Sequence, residues 1–208
     1  MDLGCVHPRR RAITAALCLM LCAVGVYSCL THLTIYLDVE IFELNLLIED
    51  LIILAGYVLM AVGAFRVNPV LPGLGLSVVA LEKIVGICTD LWFSEAQKTA
   101  QEICTLVFVD VFEIAGLLFA VLIILSQVRV LKSLSSFAKK CWFVPALLLM
   151  VSFVGYLFAN IGVLTDATFG MLFLWLAVVS FCVWCTDPEG IPRWIARRIR
   201  ENEAAENK

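Results

Sequence analysis

Long apolar stretches separated by short polar connections run through almost the whole chain. Each stretch is about 20 residues or slightly longer, the length that a helix needs to cross a hydrocarbon core of about 30 Å. We place these stretches at residues 12–36, 46–65, 70–93, 103–125, 142–164 and 167–184. The pattern predicts an all-α fold, a bundle of six transmembrane helices, as a single integral-membrane domain over residues 1–208.

Composition supports this class. Hydrophobic residues make up 62% of the chain and charged residues 16%, whereas soluble domains average about 45–50% and about 25%. The six predicted spans use most of the 208 residues. We therefore expect a multi-pass protein with no separate soluble domain, and nothing in the sequence indicates nucleic-acid binding.

The positive charges are strongly segregated. Of the 15 Lys and Arg residues, 13 precede the first span, lie in the second or fourth connection, or follow the last span. All these regions lie on one face of a six-span bundle. The excess of cations on cytoplasmic connections predicts that both termini are cytoplasmic, with the plasma membrane as the expected location.

Two of these basic regions have amphipathic patterns, one at residues 129–140 and one in the tail at residues 187–208. We expect short interfacial helices there, which hold the topology and attract anionic lipid at the cytoplasmic face. A docking site for a partner is the alternative. The residues expected at the lipid headgroups are Arg129, Lys132, Lys139, Lys140, Arg193, Trp194, Arg197, Arg198 and Arg200.

Charged residues also lie within the second, third and fourth apolar stretches. A charge at bilayer depth costs about 2.5–3.5 kcal/mol on insertion scales, so such residues need a partner, a proton, a bound ion or water. If the spans form hairpins, these residues fall in one band from the midplane to the outer leaflet. They are Glu49, Asp50, Glu82, Lys83, Asp110 and Glu113.

Helical spacing suggests that these residues face protein rather than lipid. Glu82 shares a stripe with Gly75 and Gly86, and small residues permit close helix packing in membranes. Asp110 and Glu113 are three residues apart and share a side of their helix. The five acids outnumber the one lysine, so we expect some of them to be protonated, bound to cations or reached by water.

Two functions remain open on these grounds. The first is a small transporter or permease, in which Glu82, Asp110 and Glu113 carry a proton or cation. Lys83 would be their counter-ion, and Glu49 with Asp50 the outer entry. The second is a non-transporting membrane subunit or assembly protein, whose buried charges fix helix packing or bind a partner. A homo-oligomer is compatible with both.

The chain contains no recognisable catalytic motif. No paired nucleophile and base, HExxH motif or phosphate-binding glycine loop is present, so we favour a protein that is not an enzyme and expect no cofactor or metal. Cys182 and Cys185 form an isolated CxxC motif without a second ligand pair. Cys88 and Cys104 fall near the outer ends of two neighbouring spans, and their pairing is left open.

Overall fold

The computed structural model describes residues 8–39, 44–93, 106–126, 140–159 and 166–186. Except for Lys140, the two predicted interfacial segments lie outside these described residues. Within the described part of the chain, the structure is helical and has no strand. The prediction of an all-α fold is therefore confirmed for these residues.

Six α-helices follow the apolar pattern closely. Their bounds are Pro8–Val39 for α1, Leu44–Arg66 for α2, Val70–Phe93 for α3, Phe112–Leu125 for α4, Val144–Ala159 for α5 and Asp166–Thr186 for α6. A π-helical segment, Leu106–Val111, leads into α4 without a break, because Val111 keeps helical dihedral angles. Predicted and observed ends agree best for α3, and the last residues of the fifth predicted stretch lie outside the described ranges.

Four helices are long and apolar enough to cross a membrane, which indicates a multi-pass integral membrane protein. The candidate spans are Arg9–Thr34, Leu46–Arg66, Val70–Cys88 and Thr168–Cys185, and α5 contains a shorter apolar stretch, Val144–Phe158. Many large apolar side chains also point outward, including Leu81 and Phe158. Outward apolar side chains on most helices fit a lipid environment and would be unfavourable in water.

The helices form a closed ring in chain order. Each helix packs against its neighbours in sequence, α6 returns to pack against α1, and α4 also contacts α6. Contacts between helices show that neighbouring helices run antiparallel. Ser28, late in α1, meets Asp50, early in α2. Arg11, early in α1, donates to the carbonyl oxygen of Phe65, late in α2. One end of the bundle therefore holds the start of α1 and the α2–α3 turn.

The α2–α3 turn is built by local hydrogen bonds. Val67 has a φ of 55°, and the backbone N–H of Asn68 bonds to the carbonyl oxygen of Gly63 at 3.0 Å, which closes the end of α2. The Asn68 side-chain oxygen accepts from the Val70 N–H at 2.9 Å and caps α3. Asn68 and Pro69 therefore form a tight turn between the two helices.

Close backbone contact joins α2 and α3 along the predicted small-residue stripes. A Cβ atom on Gly56 would lie 2.8 Å from the Gly75 carbonyl oxygen and 2.7 Å from Cγ2 of Val79. Because one of these atoms belongs to the backbone, it cannot rotate away. Glycine at position 56 therefore allows α2 and α3 to pack as a tight hairpin.

We expect Gly56→Ala to destabilise the protein by about 1–3 kcal/mol, because the new methyl group overpacks the α2–α3 contact. Thermal unfolding in detergent would show a lower midpoint. The control is Gly86→Ala, since a Cβ there meets only Oε1 of Glu82, at 4.0 Å. That variant should match or slightly exceed the wild type, and equal midpoints for the two variants would contradict the prediction.

Candidate functional site

A cavity of about 230 Å³ lies inside the bundle, with walls from all six helices and the π-helical segment. Its lining comprises Val24, Gly25, Ser28, Asp50, Ile53, Tyr57, Lys83, Val109, Glu113, Tyr156, Gly170, Met171 and Leu174. These residues lie toward the ends of α1, α3 and α5 and toward the starts of α2, α4 and α6. The cavity therefore extends from the middle of the bundle into the half opposite the α2–α3 turn.

The first charged pair on the cavity wall joins α3 to α4. Nζ of Lys83 lies 3.9 Å from Oε2 of Glu113, which makes an ion pair longer than a direct hydrogen bond. The Glu113 side chain is only 4% exposed, whereas that of Lys83 is 35% exposed and borders the cavity. Lys83 thus sits beside a buried carboxylate, in the position expected for a counter-ion.

The second polar group joins α1 to α2 and was not anticipated from the sequence. Nδ1 of His32 lies 2.5 Å from Oδ2 of Asp50. The Ser28 hydroxyl lies 3.2 Å and 3.1 Å from the two Asp50 carboxylate oxygens and donates to them. Ser28 and His32 are four residues apart on α1, so they share the face that meets Asp50.

The π-helical segment shapes the wall between α3 and α5. Val109 lines the cavity, and its carbonyl oxygen accepts a hydrogen bond of 2.8 Å from the buried Ser152 hydroxyl of α5. A π-helical turn pairs each N–H with a carbonyl one residue further back than an α-helix does, which shifts the face that each side chain occupies. Val109, in this segment, and Glu113, at the start of α4, both line the cavity, whereas Asp110 is not among the lining residues.

The structure divides the six predicted pathway residues into two sets. Asp50, Lys83 and Glu113 line the cavity, whereas Glu49, Glu82 and Asp110 are not among its lining residues. The second set remains close: Glu82 interacts electrostatically with Glu49, Asp50 and Glu113, and Asp110 interacts with Lys83. Oε2 of Glu82 is buried and has no hydrogen-bond partner among the described residues.

Two tyrosines were missed by sequence reasoning. Tyr57 of α2 is buried and Tyr156 of α5 is half-buried, and both line the cavity. Tyr57 follows Asp50 by seven residues, or about two helical turns, so the two residues share one face of α2. That spacing is visible in the sequence, but most aromatic residues in apolar helices only pack against neighbouring side chains.

Metal-ligand geometry is absent from the described residues, where no three His, Cys, Asp or Glu side chains converge on one point. Cys88 is an exposed thiol, and Cys104 lies outside the described residues. Cys182 and Cys185 form no disulfide. Comparisons of the chain with protein-family models, curated proteins and solved structures find no match. The geometry of the cavity is therefore the basis for a functional assignment.

Removing one partner of the Lys83–Glu113 pair should be costly, because it leaves a buried charge without its counter-ion. We expect Lys83→Met to destabilise the protein by about 3 kcal/mol. Adding Glu113→Gln to that variant should restore much of the loss, since the buried charge is then removed as well. Thermal unfolding of the wild type, both single variants and the double variant gives the coupling energy. Strictly additive losses would contradict an energetic pairing of the two residues.

Proposed function

We propose that this chain is a small membrane transporter or permease that moves a proton or another cation through the cavity. The observation that carries this proposal is an interior cavity of about 230 Å³ with Asp50, Lys83 and Glu113 on its wall. Hydrophobic packing alone does not require charged groups beside an open space within a membrane bundle. Intramembrane ionisable residues that face a cavity are typical of ion and proton pathways.

The proposed topology has six membrane spans and both termini in the cytoplasm. Arg9, Arg10 and Arg11 lie at the start of α1, Arg66 ends α2 and Lys140 precedes α5. Because neighbouring helices are antiparallel, these cations share one end of the bundle. By the positive-inside rule that end is cytoplasmic, so the cavity lies toward the outer side of what we propose is the plasma membrane.

Lipid contact completes this topology. The basic segments at residues 129–140 and 187–208 would lie along the cytoplasmic surface as interfacial helices and attract anionic lipid. This role is electrostatic and does not require a specific lipid. It would hold the α4–α5 connection and the tail at the membrane while the cavity half of the bundle carries out transport.

The cavity has the size and the chemistry for a hydrated path. Water occupies about 30 Å³ per molecule in the liquid, so the space holds several waters. Ser28, Tyr57 and Tyr156 supply hydroxyl groups around it. Such a lining lowers the energetic cost of a charge inside the bundle, because hydroxyls and waters replace part of its lost hydration.

The pairing of the acidic side chains favours a second function, which is structural and involves no transport. Glu113 is paired with Lys83, and Asp50 is paired with His32 and Ser28. Pairs of this kind fix helix register even when nothing moves between them. A membrane subunit or assembly protein without transport activity, working as a homo-oligomer or with another membrane subunit, is therefore the alternative.

Flux measurements on purified protein in liposomes separate these two functions. We expect the wild type to equilibrate a pH or cation gradient and Glu113→Gln to lose at least about tenfold in rate, because a cavity carboxylate is removed. Thr14→Val is the control. Thr14 is fully buried and pairs with Ser180 at 2.5 Å, away from the cavity.

The control should keep the wild-type rate. Folding of each variant is checked by its unfolding midpoint and its elution volume in detergent. A correctly folded wild type without flux for any monovalent ion would contradict the transport proposal and support the assembly function. In that case Glu113→Gln should weaken oligomer or complex formation instead.

A further inference from the structure

We propose that the transported ion is a proton, and that it enters the cavity from the outer side through His32 and Asp50. This inference rests on the proposed transport function and specifies its substrate and its entrance. It starts from a contact that links the surface of the bundle to the cavity.

The His32 side chain is more exposed than that of Asp50, so the contact leads from the surface of the bundle toward the cavity. The His32 side chain is 33% exposed, whereas that of Asp50 is 15% exposed and lines the cavity. The two are joined by a contact of 2.5 Å between Nδ1 and Oδ2. His32 lies near the end of the candidate span Arg9–Thr34, at the end of the bundle opposite the cationic residues. A proton taken up at the exposed imidazole therefore has a direct path inward.

The transfer balances without any further reactant. A proton from outside binds Nε2 of a neutral His32 that carries hydrogen on Nδ1, which gives an imidazolium. The Nδ1 proton then passes to Oδ2 of the Asp50 carboxylate, leaving a neutral imidazole with hydrogen on Nε2 and a neutral carboxylic acid. Asp50 releases its proton to water in the cavity, and exchange of the imidazole proton between the two nitrogens resets the relay.

A metal cation fits the same site poorly. Hard cations need several oxygen ligands at once, but Ser28 and His32 already contact the oxygens of Asp50. Glu113, the other carboxylate on the cavity wall, is already paired with Lys83. A proton needs only one lone pair and can pass along hydrogen bonds that already exist.

Other titratable groups act on this relay from three helices. Asp50 interacts electrostatically with Cys29 of α1, Tyr57 of α2 and Glu82 of α3, and Glu49 precedes it on α2. Because the charges of these groups depend on pH, all variants are compared with the wild type at one fixed pH.

The test uses the full chain in liposomes, with a potassium diffusion potential set by valinomycin and a pH-sensitive dye inside. Proton uptake is compared with uptake of radioactive sodium. We expect proton uptake without sodium uptake. His32→Gln keeps a hydrogen-bond donor for Asp50 but cannot relay a proton, so its rate should fall at least about tenfold. Asp50→Asn should fall as far.

The matched control is Thr31→Val, the position next to His32. The Thr31 hydroxyl bonds to the Tyr27 carbonyl oxygen of its own helix at 2.9 Å, so its loss should leave the proton rate unchanged. If the wild type carries sodium instead of protons, the inference is overturned while the transport proposal stands. An unchanged proton rate in His32→Gln would overturn the relay in the same way.

A second measurement tests the contact independently of flux. The chain has only two histidines, His7 and His32, so nitrogen NMR of histidine-labelled protein gives few signals. A strongly hydrogen-bonded Nδ1 signal should be present in the wild type and in Thr31→Val, and it should disappear in Asp50→Asn. Its absence from the folded wild type would overturn the inference. If the signal is present but the wild type moves no ion, both the transport proposal and this relay are wrong.

Discussion

A charge inside an apolar bundle must be neutralised or hydrated, and this requirement organises the structure more than any other. Glu113 is almost fully buried and would be very unfavourable as an isolated carboxylate. Lys83 offsets that cost from the neighbouring helix, and its own side chain borders the cavity. The same requirement explains why His32 and Ser28 meet Asp50. One polar pair therefore joins α1 to α2, and the other joins α3 to α4.

The helices could be predicted from the sequence because hydropathy and span length report on them directly. α3 matches its predicted range, and the glycine stripe that includes Gly75 correctly identifies the face that packs on α2. Lys83 was also expected beside an acid, since it is the one cation among several buried carboxylates. These features depend on local periodicity and charge balance, which a single sequence carries.

The site itself could be predicted only in part, since its geometry depends on how helices are rotated and paired. Glu82 and Lys83 are adjacent in sequence but point about 100° apart on a helix, and only Lys83 lines the cavity. Asp110 lies in a π-helical segment, Leu106–Val111, whose sequence gives no signal for that geometry, and it does not line the cavity although Glu113 does. His32 was missed because its partner comes from another helix.

The tight contact between α2 and α3 also constrains how the bundle could move. If α2 and α3 keep the direct backbone contact between Gly56 and Gly75, the two helices would shift as one rigid body. Asp50 and Lys83 both belong to that body, whereas His32 is on α1 and Glu113 on α4. A single displacement of the hairpin would thus separate Lys83 from Glu113 and Asp50 from His32 at the same time. The two contacts would then open and close together.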